Sequence, residues 1–107
     1  MQSRPIRVFA DNGRWWLVSV SAQTFTDVSV DAVDRVGKRT RIDALSAAEL
    51  PSLEQLSVLP PASLDPAERT LLDVQWHDRR GQTSSYAVSV PNDGMRAERP
   101  AADLDAV

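Results

Sequence analysis

The chain contains no cysteine. Disulfides, thiolate metal sites and cysteine nucleophiles are therefore excluded, and a small disulfide-stapled secreted scaffold is not expected. Histidine occurs once, at His77, and lysine once, at Lys38. Glycine is found at four positions, each flanked by turn-type residues, so there is no glycine-rich phosphate cradle, dinucleotide fingerprint or Gly-x-Ser-x-Gly elbow. No apolar run reaches the length of about 18 residues that a membrane helix needs. The opening stretch MQSRPIRVFADNGRWW lacks the apolar core of a signal peptide, so a cytoplasmic protein is expected.

What is present is ordinary for a globular domain: 107 residues, 42% hydrophobic and 25% charged. A chain of this size buries roughly 65% of the surface it exposes when unfolded, enough for one core. The expected organisation is a single globular domain over 1–91 and a flexible C-terminal tail over 92–107, where apolar content falls and no period remains. The net charge of −3 argues against bulk polyanion binding. Of the twelve cations only Lys38 is lysine; with the abundance of Ala, Val and Asp, this usage suggests GC-rich coding and a bacterial or phage source.

The chain is organised around IRVFADNGRWWLVSV, residues 6–20. Apolar residues alternate on both sides of Asp11-Asn12-Gly13, which predicts a β-hairpin. A three-residue loop closed by Gly13 pairs Ala10 with Arg14, Val8 with Trp16 and Ile6 with Val18. One face then carries Ile6, Val8, Trp16 and Val18, and the other Phe9, Trp15 and Leu17. A two-residue Asn-Gly loop pairs Val8 with Leu17 and mixes these sets, so the longer loop is preferred. A second hairpin is predicted over 70–90, with Arg79-Arg80-Gly81 as the loop. It pairs Trp76 with Ser84, Val74 with Tyr86 and Leu72 with Val88, and segregates into one apolar and one polar face, with Leu71 as the exception.

Between the hairpins, 25–32 reads as a strand with one irregularity, although Ser29 and Gly37 also bracket a short helix. Residues 39–44 read as a short strand or connector. Ser46-Ala47-Ala48-Glu49 has a capping-box pattern, and Asp65-Pro66-Ala67-Glu68 has the Asp, Pro and Glu of a helix start. The expected fold is accordingly a β-dominated α+β domain: a small antiparallel sheet from hairpins at about 5–20 and 70–90, with short helical segments at about 46–58 and 66–70 packed on one face. Leu50, Leu53 and Leu56 would supply that cover. A small SH3-like or OB-like barrel is the alternative.

Candidate chemistry is sparse. His77 has Asp73 and Asp78 nearby in sequence, but on a strand His77 and Asp73 stand about 13 Å apart, at roughly 3.3 Å per residue. Asp27, Asp31 and Asp34 lack the glycine and terminal glutamate of a calcium loop. No catalytic residue, cofactor or metal is expected; chemistry that uses His77 as a general base is the enzymatic alternative. Arg35, Lys38, Arg39 and Arg41 form a basic cluster that Arg79 and Arg80 could extend, the pattern of a phosphate-contacting surface. Phe9, Trp15 and Leu17 form the second apolar face of the first hairpin, and aromatic side chains on a rigid sheet make good partner anchors. The expected function is a non-enzymatic protein-interaction module (an adaptor, inhibitor or accessory subunit) whose partner is another protein or a second copy of itself. A nucleic-acid-binding regulator is the alternative. No membrane partner is expected.

Overall fold

The structure is a computed structural model and describes residues 5–78 and 80–95. The described residues form two antiparallel sheets from eight strands, with no α-helix and one 3-10 turn at Asp43–Leu45. The strands are β1 (Ile6–Asp11), β2 (Arg14–Ser19), β3 (Phe25–Val33), β4 (Arg39–Arg41), β5 (Ala47–Leu50), β6 (Gln55–Val58), β7 (Arg69–His77) and β8 (Thr83–Pro91). The first sheet has the order β1-β2-β6. The second has the order β4-β3-β7-β8, with β5 sharing the β4 side of β3. The sheets do not close into a barrel, and the expected helical cover is absent from the described residues.

The first hairpin forms, but with the loop that the face pattern disfavoured. Asp11 pairs with Arg14, Val8 with Leu17 and Phe9 with Trp16, leaving Asn12-Gly13 as a two-residue turn. Both turn residues have positive φ, 56° and 79°. That is the type I′ geometry whose twist matches the strands it joins, and Asn-Gly suits it best. The register inverts the expected assignment of the two tryptophans. Trp15 and Leu17 are fully buried with Ile6, Val8 and Ala10, while Trp16 joins Phe9 and Val18 on the outer face.

The second hairpin has the expected register, with Trp76 opposite Ser84, Val74 opposite Tyr86 and Leu72 opposite Val88. Its loop closes through Asp78 N–H to the Gln82 carbonyl, with Gly81 at φ 79°. Leu71 stands on the outer face, 43% exposed. β3 is a strand with a bulge between Thr26 and Ser29, where Asp27 takes φ 52°. The bulge explains the irregular spacing of Phe25 and Val28, both of which point into the core.

The helix expected over 46–58 is replaced by β5, a turn and β6. Ser46 does not cap a helix. Its hydroxyl donates to the Ile42 carbonyl at 2.8 Å and accepts from Val30 N–H at 3.2 Å, tying the 3-10 turn to β3. A turn at 51–54 is closed by Glu54 N–H to the Pro51 carbonyl, with Leu53 at φ 62° and exposed. It moves the chain from the second sheet to the first, so β6 extends the first hairpin edge-on instead of covering it. The helix expected over 66–70 is likewise a turn. Asp65 accepts from Ala67 N–H, and Glu68 N–H returns to the Asp65 carbonyl just before β7 begins.

The inner faces of both sheets share one core, in which Trp15 and Leu17 meet Phe25, Val30, Leu72, Val74, Trp76 and Val90. Of the stretch expected as a tail, Asn92 and Gly94 are buried, and 96–107 lies outside the described residues. Gly13 N–H donates to the Gly94 carbonyl at 3.0 Å. A Cβ at Gly94 would sit 2.4 Å from the Gly13 carbonyl carbon and 2.6 Å from Arg14 N, and the residue has φ 75°. At Gly13 a Cβ meets nothing within 4 Å.

Gly13→Ala should therefore cost only the left-handed conformation, about 1–2 kcal/mol. Gly94→Ala should cost more, because the backbone contact must also open; thermal denaturation of the two variants checks the order. The buried Ser19 hydroxyl has no hydrogen-bond partner among the described residues. Ser19→Ala should raise stability, by about 1 kcal/mol, since it removes an unsatisfied polar group; chemical denaturation measures it.

Candidate functional site

The outer face of the first sheet is the more apolar of the two outer surfaces. Phe9 and Trp16 are direct cross-strand partners, and Trp16 in turn faces Ser57 on β6. Arg7, Val18 and Gln55 form the neighbouring row. Phe9, Trp16 and Val18 are partly exposed and stand outside the core cluster. The Trp16 indole N–H donates to the Asp11 carbonyl at 3.0 Å, which fixes the ring diagonally across the strand pair. Arg14 is held beside it by Nε donating to Ser57 Oγ at 3.0 Å. The result is an aromatic patch flanked by Arg7 and Arg14. Of the expected docking residues, Phe9 lies on this patch, whereas Trp15 and Leu17 are core residues with 0% exposure. Trp16 and Val18 take their places, a direct consequence of the turn type.

Three members of the basic cluster, Arg35, Arg39 and Arg41, have carboxylate partners within the domain. Asp31 and Asp73 are opposite each other across β3 and β7, two carboxylates on one outward face. Arg39 bridges them, contacting Asp31 at 3.4 Å and pairing with Asp73, while Arg41 Nε reaches Asp31 at 2.6 Å. Like charges placed opposite each other on a sheet destabilise it, and the two guanidinium groups offset that. The Asp31 carboxyl is held below its usual 3.8, first by the Arg41 hydrogen bond, against an opposing push from burial. Arg35 pairs with Glu68 at 3.3 Å, both side chains largely exposed. The Lys38 backbone N–H is held by Asp34 Oδ1, and the Arg80 backbone N–H by Asp78 Oδ1. Arg79 lies outside the described residues.

His77 has a carboxylate partner that was not among the expected ones. Its Nδ1 lies 2.9 Å from Asp27 Oδ2, a residue 50 positions away. The β3 bulge turns Asp27 outward beside His77. Asp73 serves Arg39 and Gln75 instead, and Asp78 Oδ1 accepts from the loop N–H groups of Arg80 and Gln82. The pair borders a polar cavity of about 470 Å³ with Ser29, Arg41 and Thr83. The contact sets the imidazole beside the Asp27 carboxylate at the edge of that cavity. Among the described residues no three His, Asp or Glu side chains converge as metal ligands.

No protein-family model, curated protein or solved structure matches this chain. The fold and surface define it as a two-sheet β domain with an aromatic outer patch.

The depressed Asp31 pKa gives a signed expectation. Its folded value lies below the unfolded one, so its contribution is present above the unfolded pKa and lost as pH falls through the folded value. Stability should fall as pH drops below the usual carboxylate value of 3.8, and Asp31→Asn should flatten that limb while lowering stability near neutrality. Urea denaturation of both proteins across this range checks the sign.

Proposed function

We propose that this chain is a small non-enzymatic protein-interaction module, an adaptor, inhibitor or accessory subunit, which binds its partner through the outer face of the first sheet. The observation that carries the reading is the cluster of Phe9, Trp16 and Val18 outside the core, on a face rimmed by Arg7 and Arg14. Aromatic rings with few rotatable bonds bury large area at low entropic cost, and a sheet holds them in place. Covering one such side chain fully is worth roughly 1.5–3 kcal/mol. The competing nucleic-acid reading draws less support, because Arg39 and Arg41 are committed to Asp31 and Asp73, and Arg35 to Glu68.

The two neighbouring tryptophans provide the test. Trp16→Glu should leave the thermal midpoint near wild type and abolish the complex, read as loss of a co-purifying protein or of a self-associated species in light scattering. Trp15→Ala should instead destabilise the domain by about 3–5 kcal/mol. A folded Trp16→Glu variant that retains every interaction and the same mass in solution defeats the reading.

A further inference from the structure

A cavity of about 690 Å³ lies between the turn that joins β3 to β4 and the loop that leads into β7. Its apolar lining comes from Ala32, Ile42, Pro61 and Leu64, with the fully buried Trp15 at its inner end. Its volume is in the range of small-molecule sites, about 300–1,000 Å³, and apolar walls with a few polar groups are typical of them. The rim is charged. Four cations, Arg35, Lys38, Arg41 and Arg69, face three carboxylates, Asp34, Asp65 and Glu68, and Asp31 behind Arg41 brings the charges into balance.

The rim groups differ in how far they are committed. Arg41 is held by Asp31, and Arg69 by the Ser89 hydroxyl and carbonyl. Asp34 accepts from two backbone N–H groups, and Asp65 from one. Arg35 and Glu68 pair with each other and so join the two segments that wall the cavity. Lys38 alone of the rim cations makes no ion pair or side-chain hydrogen bond among the described residues.

We propose that this cavity binds a small amphiphilic monoanion, with its apolar body against Ile42 and Leu64 and its carboxylate received by Lys38. The site is separate from the aromatic face and does not depend on its role. A single uncommitted rim cation, Lys38, selects one negative charge over a dianion or a cation, and the apolar walls select a hydrocarbon body over a sugar or nucleotide. Lys38 suits the task because its turn is braced at the backbone by Asp34, so the side chain extends from a fixed base.

The test is a titration of the intact protein with decanoate, followed by methyl NMR, with decanol as the uncharged control. Decanoate should give saturable shifts at Ala32, Ile42 and Leu64 below about 1 mM. Lys38→Glu, on an exposed turn, should keep the thermal midpoint and weaken decanoate by about fivefold or more, while leaving decanol unchanged. Leu64→Trp, which fills the cavity, should remove both. Absence of saturable shifts, shifts confined to Phe9, Trp16 and Val18, equal affinity for decanol, or unchanged affinity in Lys38→Glu would each overturn the proposal.

Discussion

The type I′ turn at Asn12-Gly13 is the constraint on which the rest of this structure depends. Side chains alternate along a strand, so a shift of one residue in register moves every side chain of one strand to the other face. The two-residue turn sends Trp15 inward, and the core is built on that choice. Trp15 packs beneath both sheets and its indole N–H reaches the Pro91 carbonyl at 2.9 Å, at the end of the last strand. The tip of the same hairpin receives Gly94 against its backbone. A three-residue loop would have placed Trp16 inside, with Trp15 facing outward.

A row of aromatic rings runs across the inner face of the second sheet and reaches the first sheet at its end. Phe25 and Trp76 meet edge to face at 6.3 Å, and Trp76 and Tyr86 at 6.0 Å. This geometry places the positive ring edge against a negative face. The row ends at the Tyr86 hydroxyl, which accepts from Val8 N–H at 2.8 Å. That bond satisfies a backbone donor on an edge strand, where an uncovered N–H would otherwise be open to a foreign strand. Asn92 does similar work at the other end. Its side-chain amide donates to the Asp65 carbonyl and its backbone N–H to the Glu68 carbonyl, holding the turn before β7 against the end of β8.

Legibility in the sequence tracked how one-sided each segment is. The second hairpin was readable in loop and register because only one pairing puts Trp76, Val74, Leu72, Tyr86 and Val88 together. The first hairpin was readable as a hairpin but not in register, because either register buries an apolar set and exposes another. Hydrophobic pattern could not separate them; the preference of Asn-Gly for type I′ geometry could, and it prevailed. The strand and irregularity at 25–32 were legible, but the consequence of the bulge, Asp27 beside His77, was not. A partner 50 residues distant leaves no local signal. At 46–58 the capping-box pattern misled, since a serine hydroxyl serves a tertiary contact as well as a helix end. Four-residue strands on either side of a turn also carry too few residues to display a period.

The arginine cluster shows why composition alone is a weak guide to a binding surface. Read along the chain, Arg35 to Arg41 is a basic run. In the sheet, Asp31 from β3 and Asp73 from β7 stand side by side beneath it, and Arg39 and Arg41 are the counter-charges that let those carboxylates coexist. Both guanidinium groups already answer carboxylates of their own sheet, whereas Phe9, Trp16 and Val18 lie outside the core cluster. That difference in prior commitment separates the charged face of the second sheet from the aromatic face of the first. It also explains how a hairpin apolar on both sides can be stable. One side is consumed by the core, and on the other the Trp16 indole bonds to Asp11 and Arg14 to Ser57.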